Sequence, residues 1–192
     1  MRLDKPALNA EYIIRKNYIL SYRTSLMDAS PSRIAQPPGP EVLISEVGPR
    51  DGLQSVKAVM PTEDKLRWIS ALYEAGLREI EVASFVPARL LPQMADAAEV
   101  VRHALTLPGL TVMALVPNLR GAQAALAAGV HKLTLPVSAS AAHSLANVRK
   151  TCEEMVEEVR AIAAMRRDIA PHVKVEAGIS TAFGCTLQGK VA

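Results

Sequence analysis

From residue 41 onward, short apolar runs alternate with amphipathic stretches, and this alternation restricts the fold of the 192-residue chain more than any other feature. Strand-like runs lie near 42–47, 79–84, 110–116, 132–137 and 173–179. Helical patterns lie near 63–75, 92–106, 119–128 and 151–168. A strand, a crossover helix and a second strand make a parallel, right-handed unit. Repeated at this spacing, the units fit an open doubly wound sheet or part of a (β/α)8 barrel. No Gly-x-Gly-x-x-Gly follows the first strand, which argues against a dinucleotide fold.

The helices are punctuated in the sequence. The first has Thr62 as its expected N-cap, apolar Leu66, Ile69, Leu72 and Tyr73, and Gly76 past its end. The third runs from Asn118 to Gly129 with the same cap-to-glycine pattern. The fourth opens with Thr151-Cys152-Glu153-Glu154, a capping box. It is expected to place Met155, Val156, Val159, Ile162 and Ala163 on one packed face.

Residues 1–40 read differently. Asp28 to Pro40 is rich in Ser, Pro and Ala, with Pro31, Pro37, Pro38 and Pro40, a composition that predicts a disordered lead-in. The first 26 residues lack an apolar core followed by a small-residue cleavage site, so no signal peptide is expected. Asp4 and Glu11 oppose a transit peptide, and Met27 is an alternative natural start. Of the 22 basic and 19 acidic residues, six and three fall in residues 1–40, which leaves 16 of each sign for residues 41–192. That balance gives nucleic-acid binding no electrostatic support. No apolar run approaches the ~20 residues that span a bilayer, so no membrane partner is expected. Cys152 and Cys185 form no Cys-x-x-Cys pair, which fits a reducing cytoplasm better than a disulfide scaffold; a cytoplasmic location of bacterial type is expected, ahead of a mitochondrial matrix. About 150 residues follow residue 40, whereas a whole barrel takes roughly 200 or more. The expected domain is residues 41–192, an α/β fold; if its sheet belongs to a (β/α)8 TIM barrel, that barrel is truncated after about five βα units.

Chemistry gathers where the strands end. The apolar run Val42-Leu43-Ile44 reads as a buried strand, and Gly48 and Pro49 stop it. Arg50 and Asp51 follow, where a parallel strand delivers side chains to the top of a barrel. They are either a loop ion pair or a site where Asp51 holds a metal and Arg50 faces a developing oxyanion. The second strand, Arg78-Glu79-Ile80-Glu81-Val82-Ala83-Ser84-Phe85, carries charge where a parallel strand should be nearly all apolar. Glu79 is expected at a solvated start. Glu81 lies deeper and needs a partner, for which Arg50 is the candidate. A structural pair and a role beside the reacting centre are equally open for Glu81. Glu46 reads as a structural ion pair. Ser84, Asn118, Ser138, Ser140, Ser180 and Thr181 also follow strands, and Asn118 doubles as a helix cap. His103, His131, His143 and His172 show no metal-ligand spacing and are expected not to be ligands. Cys152 reads as a packing residue. Cys185 lies in a top-face loop, with a nucleophilic role as the minor reading.

Taken together, these residues resemble the signature of hydroxymethylglutaryl-CoA (HMG-CoA) lyases, members of the DRE-TIM metallolyases. The resemblance rests on Glu46-Val47-Gly48-Pro49-Arg50-Asp51-Gly52-Leu53-Gln54, Glu74-Ala75-Gly76-Leu77, Ile80-Glu81 and Ser84-Phe85-Val86. It continues through Pro92-Gln93-Met94, Pro117-Asn118-Leu119-Arg120-Gly121, Ala127-Ala128-Gly129 and Ser180-Thr181-Ala182-Phe183-Gly184-Cys185. It covers about residues 41–190. Gly48-Pro49 before Arg50, and Leu53 after Gly52, resemble the lyase branch more than the carbon–carbon-forming synthases.

The resemblance implies a (β/α)8 barrel using a divalent cation, Mg2+ or Mn2+, to cleave HMG-CoA into acetyl-CoA and acetoacetate. It implies Asp51 as a metal ligand, Arg50 as the group that stabilises the enolate, and Glu81 as the second acidic element. Gln54, Ser84 and Asn147 match polar positions lining the substrate pocket. An acyl-CoA substrate, no nucleic acid and a homo-oligomer in the full-length protein are implied as well. Two departures stand out. The family usually has Ser-Glu where this chain has Ser140-Ala141. The family's H-x-H metal ligands, metal-binding asparagine and catalytic-cysteine loop fall beyond residue 192, so the 192 residues alone are expected to be inactive. The alternatives are a non-catalytic, self-associating barrel remnant and a lyase for a related 3-hydroxyacyl-CoA.

Overall fold

The computed structural model describes residues 42–191; the lead-in expected at residues 1–40 lies outside the described residues. Five strands, β1 (Ser45–Glu46), β2 (Glu79–Ser84), β3 (Thr111–Leu115), β4 (Lys132–Ser138) and β5 (Lys174–Ser180), form one parallel sheet in sequence order. A doubly wound sheet reverses its order at a switch point. This sheet does not, and it curls into a half-barrel of the (β/α)8 kind. The helices are α1 (Thr62–Glu74), α2 (Ala97–Ala104), α3 (Leu119–Ala128), α4 (Ala141–Val148) and α5 (Cys152–Ile169). Four are crossovers between successive strands. The fifth, α4, is a short additional helix directly after β4.

Side chains alternate across a strand, and the two faces of this sheet differ in chemistry. Ile80, Val82, Val112, Ala114, Leu133 and Leu135 pack with Ile69, Val100, Val101, Ala122, Ala125 and Ile162 of the helices to make the core. The other face carries Glu79, Glu81, Met113, Lys132 and Thr134. Glu81 pairs with Met113, the register then shifts, and Ser84 pairs with Leu115. Met113 and Leu115 share a face, so this bulge returns Ser84 to the side of Glu81.

Several expected boundaries hold. Gly76 and Gly129 follow their helices at φ of 101° and 92°. Asn118 caps α3 by accepting from Gly121 N at 2.9 Å. The Thr151–Glu154 capping box opens α5. Other expectations are corrected. Val42, Leu43 and Ile44 are not a buried strand: they are 77, 65 and 65% exposed, and β1 is a two-residue edge strand paired with β2. Pro61, not Thr62, is the N-cap of α1. The Thr62 hydroxyl instead donates to Asp96 at 2.8 Å, because Asp96 is also drawn to Lys65, whose Nζ lies 2.7 Å from Asp96 Oδ1. The pattern over 92–106 divides into a 3-10 turn, Pro92–Met94, and α2. On α5, Met155 and Ile162 are buried, but Val156 is 42% exposed.

Candidate active site

The site begins at the turn after β1. Residues Gly48–Gly52 wind into a single π-helical turn in which Val47 O accepts from Arg50 N at 3.1 Å and Asp51 N at 2.7 Å. Glu46 Oε1 accepts from Gly48 N at 2.6 Å, so the bond described for this carboxylate is local to the turn. A Cβ at Gly48 would lie 2.8 Å from Glu46 Oε1 and 3.3 Å from Trp68, so the Glu46 carboxylate would have to move aside for it.

The turn lays Arg50 across β2. Arg50 Nε donates to Glu81 Oε2 at 2.5 Å, and Nη2 contacts the same oxygen. Arg50 Nη1 donates to Asp51 Oδ1 at 2.5 Å. The other Glu81 oxygen accepts from the Thr134 hydroxyl of β4. Glu81 is 1% exposed, and a buried carboxylate is tolerated only when charged and polar partners satisfy it. Both its oxygens are satisfied here. All three guanidinium nitrogens are engaged as well, so the planar fork is held in one orientation. Asp51 is on the outer side, its side chain 54% exposed. Gln54 Nε2 reaches Asp51 Oδ1 at 3.4 Å, and Ser55 Oγ donates to Asp51 O at 2.8 Å.

The structure therefore gathers Arg50, Asp51, Gln54 and Glu81. Ser84 lies on the same sheet face; it is fully buried, and among the described residues its hydroxyl meets no hydrogen-bond partner. Asn147 is exposed on α4, and no described bond joins it to the Arg50 cluster. A cavity of about 510 Å³ lies between the end of β2 and the start of α3. Ser84, Phe85, Arg89, Asn118 and Arg120 line it, whereas Arg50, Asp51 and Glu81 do not.

A second polar layer lies toward the start of the strands. Lys132 Nζ is 2.9 Å from Glu79 Oε1 and 2.9 Å from Glu176 Oε2. Burial works against the Lys132 charge, but the bonds to Glu176 and Glu79 prevail and hold its pKa above the ordinary lysine value. Glu79 is thus not at a solvated start; it is 5% exposed. At the opposite end, Ser140 Oγ lies 3.0 Å from Cys185 Sγ. That hydroxyl, with the Leu187 and Gln188 N–H groups, lowers the Cys185 thiol below its ordinary pKa against the effect of burial.

Asp51 offers an exposed oxygen of the type that Mg2+ and Mn2+ take. Among the described residues, however, no three His, Cys, Asp or Glu side chains are grouped to hold a metal ion. A single carboxylate does not make a catalytic metal centre, so the described residues do not by themselves fit the cation. Sequence reasoning did not single out Thr134, Lys132 or the partner of Ser138, which is His143. The signal was present: Lys132, Thr134 and Ser138 fall at even spacing along a strand that should be apolar on both faces.

A family model described as HMGL-like matches residues 41–190. The mitochondrial HMG-CoA lyase of Gallus gallus is 41% identical over 151 residues, which is 79% of this chain and 50% of that enzyme. The cytoplasmic 3-hydroxy-3-methylglutaryl-CoA lyase of Mus musculus is 36% identical over 189 residues, 97% of this chain and 54% of that enzyme. Among solved structures, the HMG-CoA lyase of Pseudomonas aeruginosa superposes with a TM-score of 0.74 at 39% identity, over 79% of this chain and 50% of that one. An HMG-CoA lyase from Acinetobacter baumannii, in complex with coenzyme A and 3-methylmalate, gives 0.73 at 33% identity, over 78% of this chain and 48% of that one. The chain spans about half the length of these relatives. With the parallel half-barrel and a match from residue 41 to residue 190, the chain belongs to the HMGL-like family.

Proposed function

We propose that the natural polypeptide carrying this sequence is a carbon–carbon lyase that cleaves HMG-CoA to acetyl-CoA and acetoacetate. The observation that carries this reading is the Arg50 guanidinium, fixed on three sides by Glu81 and Asp51 at the mouth of the half-barrel. In a retro-Claisen cleavage a base removes the proton of the tertiary hydroxyl, and the new carbonyl expels the neighbouring carbon. The bonding pair passes to the thioester enolate, which takes a proton to become acetyl-CoA. A cation that needs no reorganisation as the enolate charge develops lowers that barrier. Glu81 and Asp51 act by holding Arg50 in place. Gln54 and Ser84 face the acyl-CoA from the same side, and Asn147 approaches it from α4. The coenzyme A complex of the Acinetobacter baumannii relative supports an acyl-CoA substrate.

Asp51 is proposed as one ligand of a divalent cation, Mg2+ or Mn2+, which would polarise substrate oxygens. With one such ligand among the described residues, the 192 residues alone are expected not to turn over. The test is acetoacetate release from HMG-CoA and from related 3-hydroxyacyl-CoA thioesters, with and without added Mg2+ or Mn2+. Cation-dependent release from HMG-CoA by the natural polypeptide supports the proposal. Cleavage of another thioester alone would reassign the substrate, and robust turnover by the 192-residue chain would refute the requirement for further ligands.

A further inference from the structure

Two polar groups at the end of β4 take no part in the Arg50 cluster. Ser138 is the last residue of β4, and alternation puts it on the face that carries Lys132 and Thr134. It is 4% exposed, and its hydroxyl bonds His143 Nδ1 at 2.7 Å. His143 is in the first turn of α4, its backbone N–H donating to Ser140 Oγ at 3.2 Å. The ring is half-buried, and among the described residues no other bond to it is made. Engaging Nδ1 fixes the ring and leaves Nε2 as the nitrogen offered to a ligand.

Position says what kind of ligand group Nε2 can meet. Thr134, which holds Glu81, is four residues before Ser138 on one strand. At ~3.3 Å per residue, Ser138 therefore lies on the order of 13 Å further toward the open end of the sheet. That offset along β4 puts the Ser138–His143 pair beyond the Thr134–Glu81 contact, toward the strand's C-terminal end, which suits a group further along an extended thioester. His143 and Asn147 are four residues apart on α4 and share a helix face.

We infer that Ser138 and His143 form a ligand-positioning pair. Ser138 holds the imidazole, and His143 Nε2 bonds a carbonyl oxygen of the acyl-CoA on the face of α4 that carries Asn147. The identity of the ligand rests on the lyase reading.

The experiment follows the ring nitrogens of His143 by 15N NMR in histidine-labelled protein, the signal being assigned by its loss in His143→Gln. Coenzyme A is added first and HMG-CoA second. A shift of Nε2 with coenzyme A places the contact on the pantetheine arm, and a shift with HMG-CoA alone places it on the acyl end. Ser138→Ala, which frees the ring, is expected to weaken thioester affinity roughly 3- to 10-fold, the loss of one positioned hydrogen bond. The effect should be larger in KM than in kcat. His143→Gln keeps an N–H near the outward position and should bind more tightly than His143→Asn, which keeps only the bond toward Ser138. An Nε2 signal unmoved by saturating HMG-CoA, or unchanged affinity in Ser138→Ala and His143→Asn, overturns the inference. Product formation without a shift counts against the pair alone. A shift without cleavage counts against the lyase reading alone.

Discussion

Glu81 brings a formal charge to a position 1% exposed, and that cost accounts for the residues around it. Arg50 and Thr134 between them satisfy both oxygens. Ser84, on the same face, is the opposite case: a buried hydroxyl with no partner among the described residues. An unsatisfied buried hydroxyl costs about 1–3 kcal/mol, so Ser84→Ala is expected to leave stability unchanged or raise it. If Ser84 serves the acyl-CoA, the same substitution should weaken thioester binding. Measuring melting temperature and affinity on one sample checks both signs. A fall in stability with unchanged affinity would make Ser84 a purely structural residue.

The start of α3 is tied to α5 through Glu158, which accepts from Leu119 N at 2.5 Å and pairs with Lys150. Burial raises the Glu158 pKa, but the Lys150 and Leu119 bonds outweigh it and the net shift is downward. A lowered folded pKa contributes stability that is present above the unfolded value of about 4.3 and is lost as pH falls through the folded value. Glu158→Gln should therefore melt lower than the unaltered protein at neutral pH, by about 2–4 °C for a loss near 1 kcal/mol. The gap should narrow as pH falls below the unfolded value and close below the lower, folded one. A gap that persists in acid would mean the loss is one of packing. Elements of this size were largely legible in the sequence, because Asn118, Thr151, Gly76 and Gly129 mark helix ends by local chemistry. The Arg50–Glu81 pair was legible because charge inside a parallel strand demands an answer. What was not legible depended on contacts distant in sequence. Thr62 gave up its cap for Asp96, 34 residues away, and α4 was hidden in a run of Ala and Ser with little apolar period.

Among the described residues β5 is an edge strand of the sheet, and Ile179, Phe183 and Leu187 around it are 66, 103 and 60% exposed. An uncovered edge with apolar neighbours is a template for pairing. The 192-residue chain is expected to self-associate with rising concentration, and Ile179→Lys should reduce this in sedimentation experiments. A monodisperse monomer throughout would remove the self-associating reading. If the half-barrel holds Arg50 for a developing enolate, Arg50→Lys in the natural polypeptide should separate that role from one of charge pairing alone. Lysine keeps a positive charge beside Glu81, so stability should fall far less than the roughly 3–5 kcal/mol expected when a buried charge loses its partner. It replaces a fixed planar fork with a mobile point charge. Arg50→Lys is expected to lose ~10²–10³ in kcat for HMG-CoA cleavage, with a much smaller proportional change in KM and a melting temperature close to that of the unaltered protein. Near-normal kcat in folded Arg50→Lys protein would contradict the enolate role and leave Arg50 as the counter-ion of Glu81.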